Sequence, residues 1–229
     1  MTARDRPGRV LGGRHRIVPA AVAVLLLVLG ACTLAVGLSR QEPAPPAAAR
    51  PAPTSTATTA PVTSSPASPP AEGDTAPTLP RSAPTRLSVP AIGVNTSLER
   101  LGLDRHRALE TPKDPAKAGW FTSGPTPGEQ GPAVIAGHVT WNGARSVFFR
   151  LGSLRPGDRL SVRREDGSTA RFSVTRTEQY PKDRFPSVEV YRNLDHAGLR
   201  LITCAGTYRD HRYSDNIVVY ARLDQPGRS

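Results

Sequence analysis

The stretch Asp158–Val174, "DRLSVRREDGSTARFSV", decides the fold class. Leu160 and Val162 alternate with polar residues before Asp166-Gly167, and Ala170, Phe172 and Val174 alternate with polar residues after it. A period of two buries one face of a pleated strand. Asp-Gly between two such runs strongly favours a tight hairpin turn. The segment is expected to be an antiparallel hairpin.

Similar signals lie on either side. "TRLSVPAIGV" (85–94) alternates Leu87 and Val89 before a proline, "PAVIAGHV" (132–139) is a short apolar run bounded by Pro and Gly, and "VFFRLGSL" (147–154) is a further apolar segment. "LRLITC" (199–204) and "NIVVYARL" (216–223) read as two more strands, separated by a loop over 205–215. Helix signals are few, with "SVEVYRN" (187–193) the best single turn. Many short strands with Gly/Pro punctuation predict an all-β sandwich or small barrel.

Toward the N-terminus the composition changes. From Gln41 to Pro80 the chain is almost entirely Pro, Ala, Thr and Ser, which lacks the apolar side chains needed to offset ordering entropy. We read 39–81 as a disordered, semi-rigid linker that reaches roughly 100 Å when extended. It leaves one domain, 82–229, of ordinary size. Upstream, Ile17 to Leu38 carries no charge over 22 residues, enough to span a bilayer as a helix. The tail 1–16 holds five arginines against Asp5, while Arg40 alone follows the span. That asymmetry predicts a single-pass signal anchor in the cell membrane, with the N-terminus cytoplasmic and the domain extracellular. Signal-peptide cleavage and lipidation at Cys32 in "LGAC" are the alternatives, and the length of the apolar run argues against both.

The formal net charge of +11 divides into +5 for residues 1–40, −1 for 41–81 and +7 for the domain. The tail's share follows from topology. The domain's excess is scattered and carries no aromatic-interleaved basic motif, so no nucleic-acid partner is expected. No His/Asp/Glu cluster has ligand spacing; neither a metal nor another cofactor is expected.

Of two cysteines, Cys32 lies in the predicted span and Cys204 therefore has no disulfide partner outside the membrane. A free cysteine packs as a small hydrophobe, or it is a nucleophile when a neighbouring base or cation supports its thiolate. Five histidines are candidates for the base. His15 falls in the tail, His106 and His196 sit in charged or turn-like contexts, and His211 shares the Cys204 loop among solvated neighbours. His138 ends a short apolar strand, directly after a glycine that permits close approach.

Taken in order, "AVIAGHVTW" (133–141), "LITC" (201–204) and "YSDNIVVYA" (213–221) resemble the sortases, cysteine transpeptidases of Gram-positive cell surfaces. "LSVPAIGVNTSLERLGLDRHRALETPKDPAKAGWF" (87–121), "GPTPGEQGPAVIAGH" (124–138), "VFFRLGSLRPGDRLSV" (147–162) and "PKDRFP" (181–186) are similar to the actinobacterial class labelled E or F. The resemblance implies an eight-stranded β-barrel with short helices. It implies that Cys204 attacks the Thr carbonyl of an LPxTG-like sorting signal on a surface protein, cleaving between Thr and Gly through a thioester. His138 would be the general acid and base, and Thr203 would line the substrate site. The acceptor would be an amine on a peptidoglycan precursor or pilin lysine, or water. Relatives carry an oxyanion-binding Arg where this chain has Ser214, which leaves Arg212, with Arg209 as the alternative. A barrel that has lost its chemistry and binds wall polymer or peptide is the second reading, and Ser214 is the feature that favours it.

Overall fold

The computed structural model describes residues 45–47 and 78–225. The tail 1–16, the expected span 17–38 and most of the linker lie outside them. Among the described residues no helix is long and apolar enough to cross a membrane.

Among the described residues ten strands form: β1 (Pro84–Val89), β2 (Val94–Leu101), β3 (Ala118–Phe121), β4 (Gly131–Gly137), β5 (Thr140–Trp141), β6 (Ala144–Arg145), β7 (Arg159–Arg164), β8 (Thr169–Pro181), β9 (Ala197–Arg209) and β10 (Arg212–Leu223). Eight of them close into a barrel in the order β1-β2-β3-β4-β9-β10-β8-β7, and β5 and β6 make a separate small hairpin. The pairing is antiparallel except at β2–β3 and β4–β9. The expected all-β, eight-stranded barrel with few helices is therefore present; its one α-helix among the described residues is α1 (Ser187–Tyr191), a single turn in the predicted place.

The period-two residues fill the barrel. Leu160, Val162, Ala170, Phe172 and Val174 of the β7–β8 hairpin are all buried, together with Leu87 and Val89 of β1 and Leu199 and Leu201 of β9. Burying each larger side chain contributes roughly 1.5–3 kcal/mol before entropy is counted. The turn itself is a three-residue loop: Arg164 N–H donates to Ser168 O at 3.0 Å and Gly167 takes φ +82°, a conformation that glycine reaches without a Cβ penalty.

Two expectations change. "VFFRLGSL" is not a strand; it folds as turns and a 3₁₀ helix over Leu151–Ser153, and it drops Phe148, Leu151 and Leu154 into the barrel core. Its apolar positions, spaced by three, follow the 3₁₀ period rather than the strand period. The loop expected over 205–215 is mostly strand. β9 runs to Arg209 and β10 starts at Arg212, and the turn between them is Asp210-His211 with φ +49° and +59°. Two successive positive φ values give the turn that matches hairpin twist.

At the other end of the domain, Leu79 N–H donates to Gly128 O at 2.7 Å, and Pro80 O accepts from the buried Arg164 guanidinium. These residues of the expected linker are held against the barrel.

Candidate active site

The parallel pair β4–β9 positions the site. Its partners differ by a constant 66 residues, from Gly131↔Ala197 to Ala136↔Ile202. The last pair, Ala136↔Ile202, stops two residues short of both His138, the first residue after β4, and Cys204 on β9, so the two follow the same end of the paired segment. Residues level on neighbouring strands project to the same face. Leu199 and Leu201 point into the barrel core, so Cys204, in the other phase of β9, faces outward. On its far side Cys204 pairs with Asn216 of β10, which pairs in turn with Tyr180 of β8. One rung across three strands thus holds Cys204, Asn216 and Tyr180.

A buried hydroxyl locks the two chemical strands together. Thr203, 3 % exposed, donates through Oγ1 to Gly137 O at 2.8 Å, which joins the residue before Cys204 to the residue before His138. Gly137 is closely covered: a Cβ there would lie 2.7 Å from Phe148 Cδ2 and 2.8 Å from Val147 Cγ1, so one of them would have to shift. The close approach expected at this glycine is made by side chains.

His138 is half-buried and fixed from three sides. Its Nε2 lies 2.9 Å from Pro112 O, its ring meets Trp141 at 4.9 Å and 59°, and its carbonyl accepts from Phe148 N–H at 3.0 Å. A carbonyl only accepts, so Nε2 carries the proton and Nδ1 is the nitrogen free to exchange one. Trp141, Phe149, Pro115 and Arg145 also wall a groove of about 530 Å³.

Cys204 is a free thiol, half-buried against Val139, Phe149 and Tyr213. The polar group at its sulfur is Lys182, whose Nζ donates to Sγ at 3.5 Å. Lys182 opens the 3₁₀ helix Lys182–Arg184 directly after β8. The register β8–β10–β9 carries the end of β8 to this point, because Pro181 pairs with Asp215 and Asp215 with Ala205.

A thiol, an imidazole with one free nitrogen and an ammonium on one outer face suit nucleophilic acyl transfer. A sortase-domain family profile matches residues 87–224, more than half of the chain. The chain belongs to the sortase family. Members of that family are cysteine transpeptidases. Among solved structures, this sortase is similar to a sortase D5 transpeptidase of Clostridium perfringens (21 % identity, 62 % of this chain and 79 % of that one, TM-score 0.48). It is also similar to the lid mutant of sortase A from Corynebacterium diphtheriae (18 %, 64 % and 73 %, TM-score 0.49) and to sortase C-1 from Actinomyces oris (21 %, 62 % and 71 %, TM-score 0.48). No curated protein matches.

The two arginines expected to complete the site lie on the β9–β10 hairpin. Arg209 and Arg212 pair with each other across the tip of the β9–β10 hairpin. Arg212 is four positions beyond Asn216, about 13 Å along the strand from the Cys204 rung. Both arginines are exposed and border a hollow at the hairpin tip with Thr207 and Ser214. Ser214 faces a bulge of β9 and accepts from Thr207 N–H at 3.0 Å. Gly206, at φ +82°, makes room for it: a Cβ there would fall 2.3 Å from Ser214 Oγ.

Sequence reasoning missed Lys182. "PKDRFP" contributed to the resemblance as a motif, but nothing local in it indicates that its lysine turns back onto a cysteine 22 residues later. Among the described residues no group of three His, Cys, Asp or Glu side chains is placed to share a metal ion.

Proposed function

We propose that this sortase is a membrane-anchored cysteine transpeptidase of the class E/F type that cleaves LPxTG-like sorting signals between Thr and Gly. The observation that carries the reading is that the parallel pairing of β4 and β9, closed by the Thr203 Oγ1 bond to Gly137 O, brings the segments holding His138 and Cys204 to the same end of that pair. Cys204 Sγ gives its proton to His138 Nδ1 and adds to the Thr carbonyl carbon. Collapse of the tetrahedral adduct breaks the C–N bond, and His138 returns the proton to the leaving Gly amine. An incoming amine, from a cell-wall precursor or a pilin lysine, or water then adds to the thioester carbon, the C–S bond breaks to release the new amide or acid, and the proton that the nucleophile loses passes through His138 back to Cys204 Sγ. An anchor at 17–38 and the extended linker would hold the barrel outside the cell, within reach of surface proteins.

The test is intact-mass spectrometry of the full-length chain in detergent, with LPxTG and LAxTG peptides and a panel of amines. A thioester on Cys204 and a ligated product are expected, and Cys204→Ala abolishes both. Equal turnover by wild type and C204A would leave a binding barrel as the function.

A further inference from the structure

We infer that Lys182 is the catalytic cation of this site, the group that holds the sulfur's negative charge and then the oxyanion, in the place where the family pattern leads one to expect an arginine. The inference rests on the sortase reading above. Four observations carry it. Lys182 Nζ is at 3.5 Å from Cys204 Sγ. Among the described residues the ammonium has no carboxylate partner in an ion pair, although the side chain is half-buried. Arg209 and Arg212 are at the hairpin tip, paired with each other. Ser214, in the family's arginine position, spends its hydroxyl on Thr207 N–H.

An ammonium left without a counter-ion in a partly desolvated setting interacts strongly with whatever negative charge forms beside it. It has three donors in a compact head, and one on Sγ leaves two for a neighbouring oxygen. When Sγ bonds to the Thr carbonyl carbon, the π pair moves to the carbonyl oxygen one bond from the new C–S link. That oxygen then lies within reach of the same Nζ. As the adduct collapses, the pair returns to re-form C=O, the C–N bond breaks, and His138 supplies the leaving amine with its proton. Lys182 gives up no proton in the cycle; it donates hydrogen bonds to sulfur before attack and to oxygen after it. Asn216, opposite Cys204 on the same face, is a neutral neighbour that lacks the charge to replace it.

The lysine also sits on a different element from the one that carries the family's arginine. The family's arginine position, Ser214, lies at the bulge of β10 just before the stretch paired on both sides from Asp215, whereas Lys182 enters from the connection between β8 and β9, next to Pro181. The cation therefore arrives with the segment 182–196 that covers the outer face of β9 through Phe185 and Val190. Packing of that segment and completion of the site are coupled.

The experiment compares single-turnover thioester formation on an LPxTG peptide by the full-length chain in detergent, for wild type, Lys182→Met, Lys182→Arg, Arg209→Ala and Arg212→Ala. K182M keeps the stem's packing and removes the charge. Loss of one oxyanion donor lowers the rate about 10²–10³-fold, so K182M is expected to fall by that factor in maximal rate with little change in the peptide concentration at half-saturation. K182R restores most of the rate, and R209A and R212A stay within about threefold of wild type. Alkylation of Cys204 by iodoacetamide, which needs no peptide, slows in K182M and recovers in K182R. Wild-type rates in K182M, or a collapse of the rate in R212A, overturn the inference while leaving the sortase reading intact. A wild-type chain that forms no thioester overturns both. Circular dichroism and melting of K182M matching wild type exclude a folding defect, and a melted K182M with active K182R still assigns the role to the charge.

Discussion

Replacing Thr203 by valine separates two roles for the residue before the nucleophile. The substitution keeps the β-branched shape and removes the hydroxyl that donates to Gly137 O at 2.8 Å inside the wall of the barrel. Losing that bond costs about 0.5–1.5 kcal/mol, and a buried carbonyl stripped of a partner adds to it. A methyl pressed against the oxygen adds a further fraction, giving about 1–3 kcal/mol in all. For a domain of this size about 2–4 °C of melting temperature accompanies each kcal/mol, so T203V is expected to melt roughly 2–12 °C lower. Because the bond ties the residues before His138 and Cys204, the activity loss falls on kcat: a displacement of about 1 Å between reacting groups costs up to about 10²-fold. Thr203→Ser keeps the donor and recovers most of that rate. The assay is thermal unfolding beside steady-state cleavage of a quenched sorting peptide. A T203V variant with wild-type melting temperature and kcat but a raised KM would refute this reasoning and make Thr203 a substrate contact.

Three further outcomes follow from the geometry. Gly137→Ala drives a Cβ to within 2.7 Å of the fully buried Phe148; overpacking of this kind costs about 1–3 kcal/mol, and both the melting temperature and the cleavage rate are expected to drop, whereas a neutral G137A would show that Phe148 yields. Arg200, 6 % exposed and stacked 4.5 Å from the Tyr220 ring, has its pKa pushed by burial down from the usual guanidinium value to about 10. A base whose folded pKa is depressed binds fewer protons folded than unfolded between those values, so stability rises with pH there. Between pH 9 and pH 11 the wild type should gain about 1 kcal/mol on Arg200→Met in denaturant titrations; parallel curves would contradict the assignment. The turn residues Asp210 and His211, at φ +49° and +59°, are strained relative to Asn-Gly, so the D210N/H211G pair is expected to gain about 0.5–1 kcal/mol with cleavage unchanged, and a loss in melting temperature would mean that the native turn makes contacts worth more than its strain.

What local sequence determined about this protein was the strand content and the chemical candidates. Alternation around Asp166-Gly167 predicts β7 and β8 because a period of two is a property of one chain segment and its solvent boundary. Cys204 without a partner and His138 at a strand end stand out because residue type and immediate neighbours suffice to mark them. The resemblance then supplied the barrel. Segments whose burial is not periodic escaped: "VFFRLGSL" is apolar but curls as 3₁₀, and the strands β9 and β10 continue through polar residues because cross-strand pairing, not hydrophobicity, holds them. The tertiary structure alone decided how the candidates meet. The β4–β9 register, the Thr203 bond across it and the return of Lys182 onto Cys204 each join residues far apart in sequence. The same is true of the arginines: the length of a paired hairpin, invisible in its composition, carries Arg212 about 13 Å past the sulfur's rung. Contacts of that kind depend on which strands close the barrel and in what register, a free energy shared by the whole domain and written in no single stretch of it.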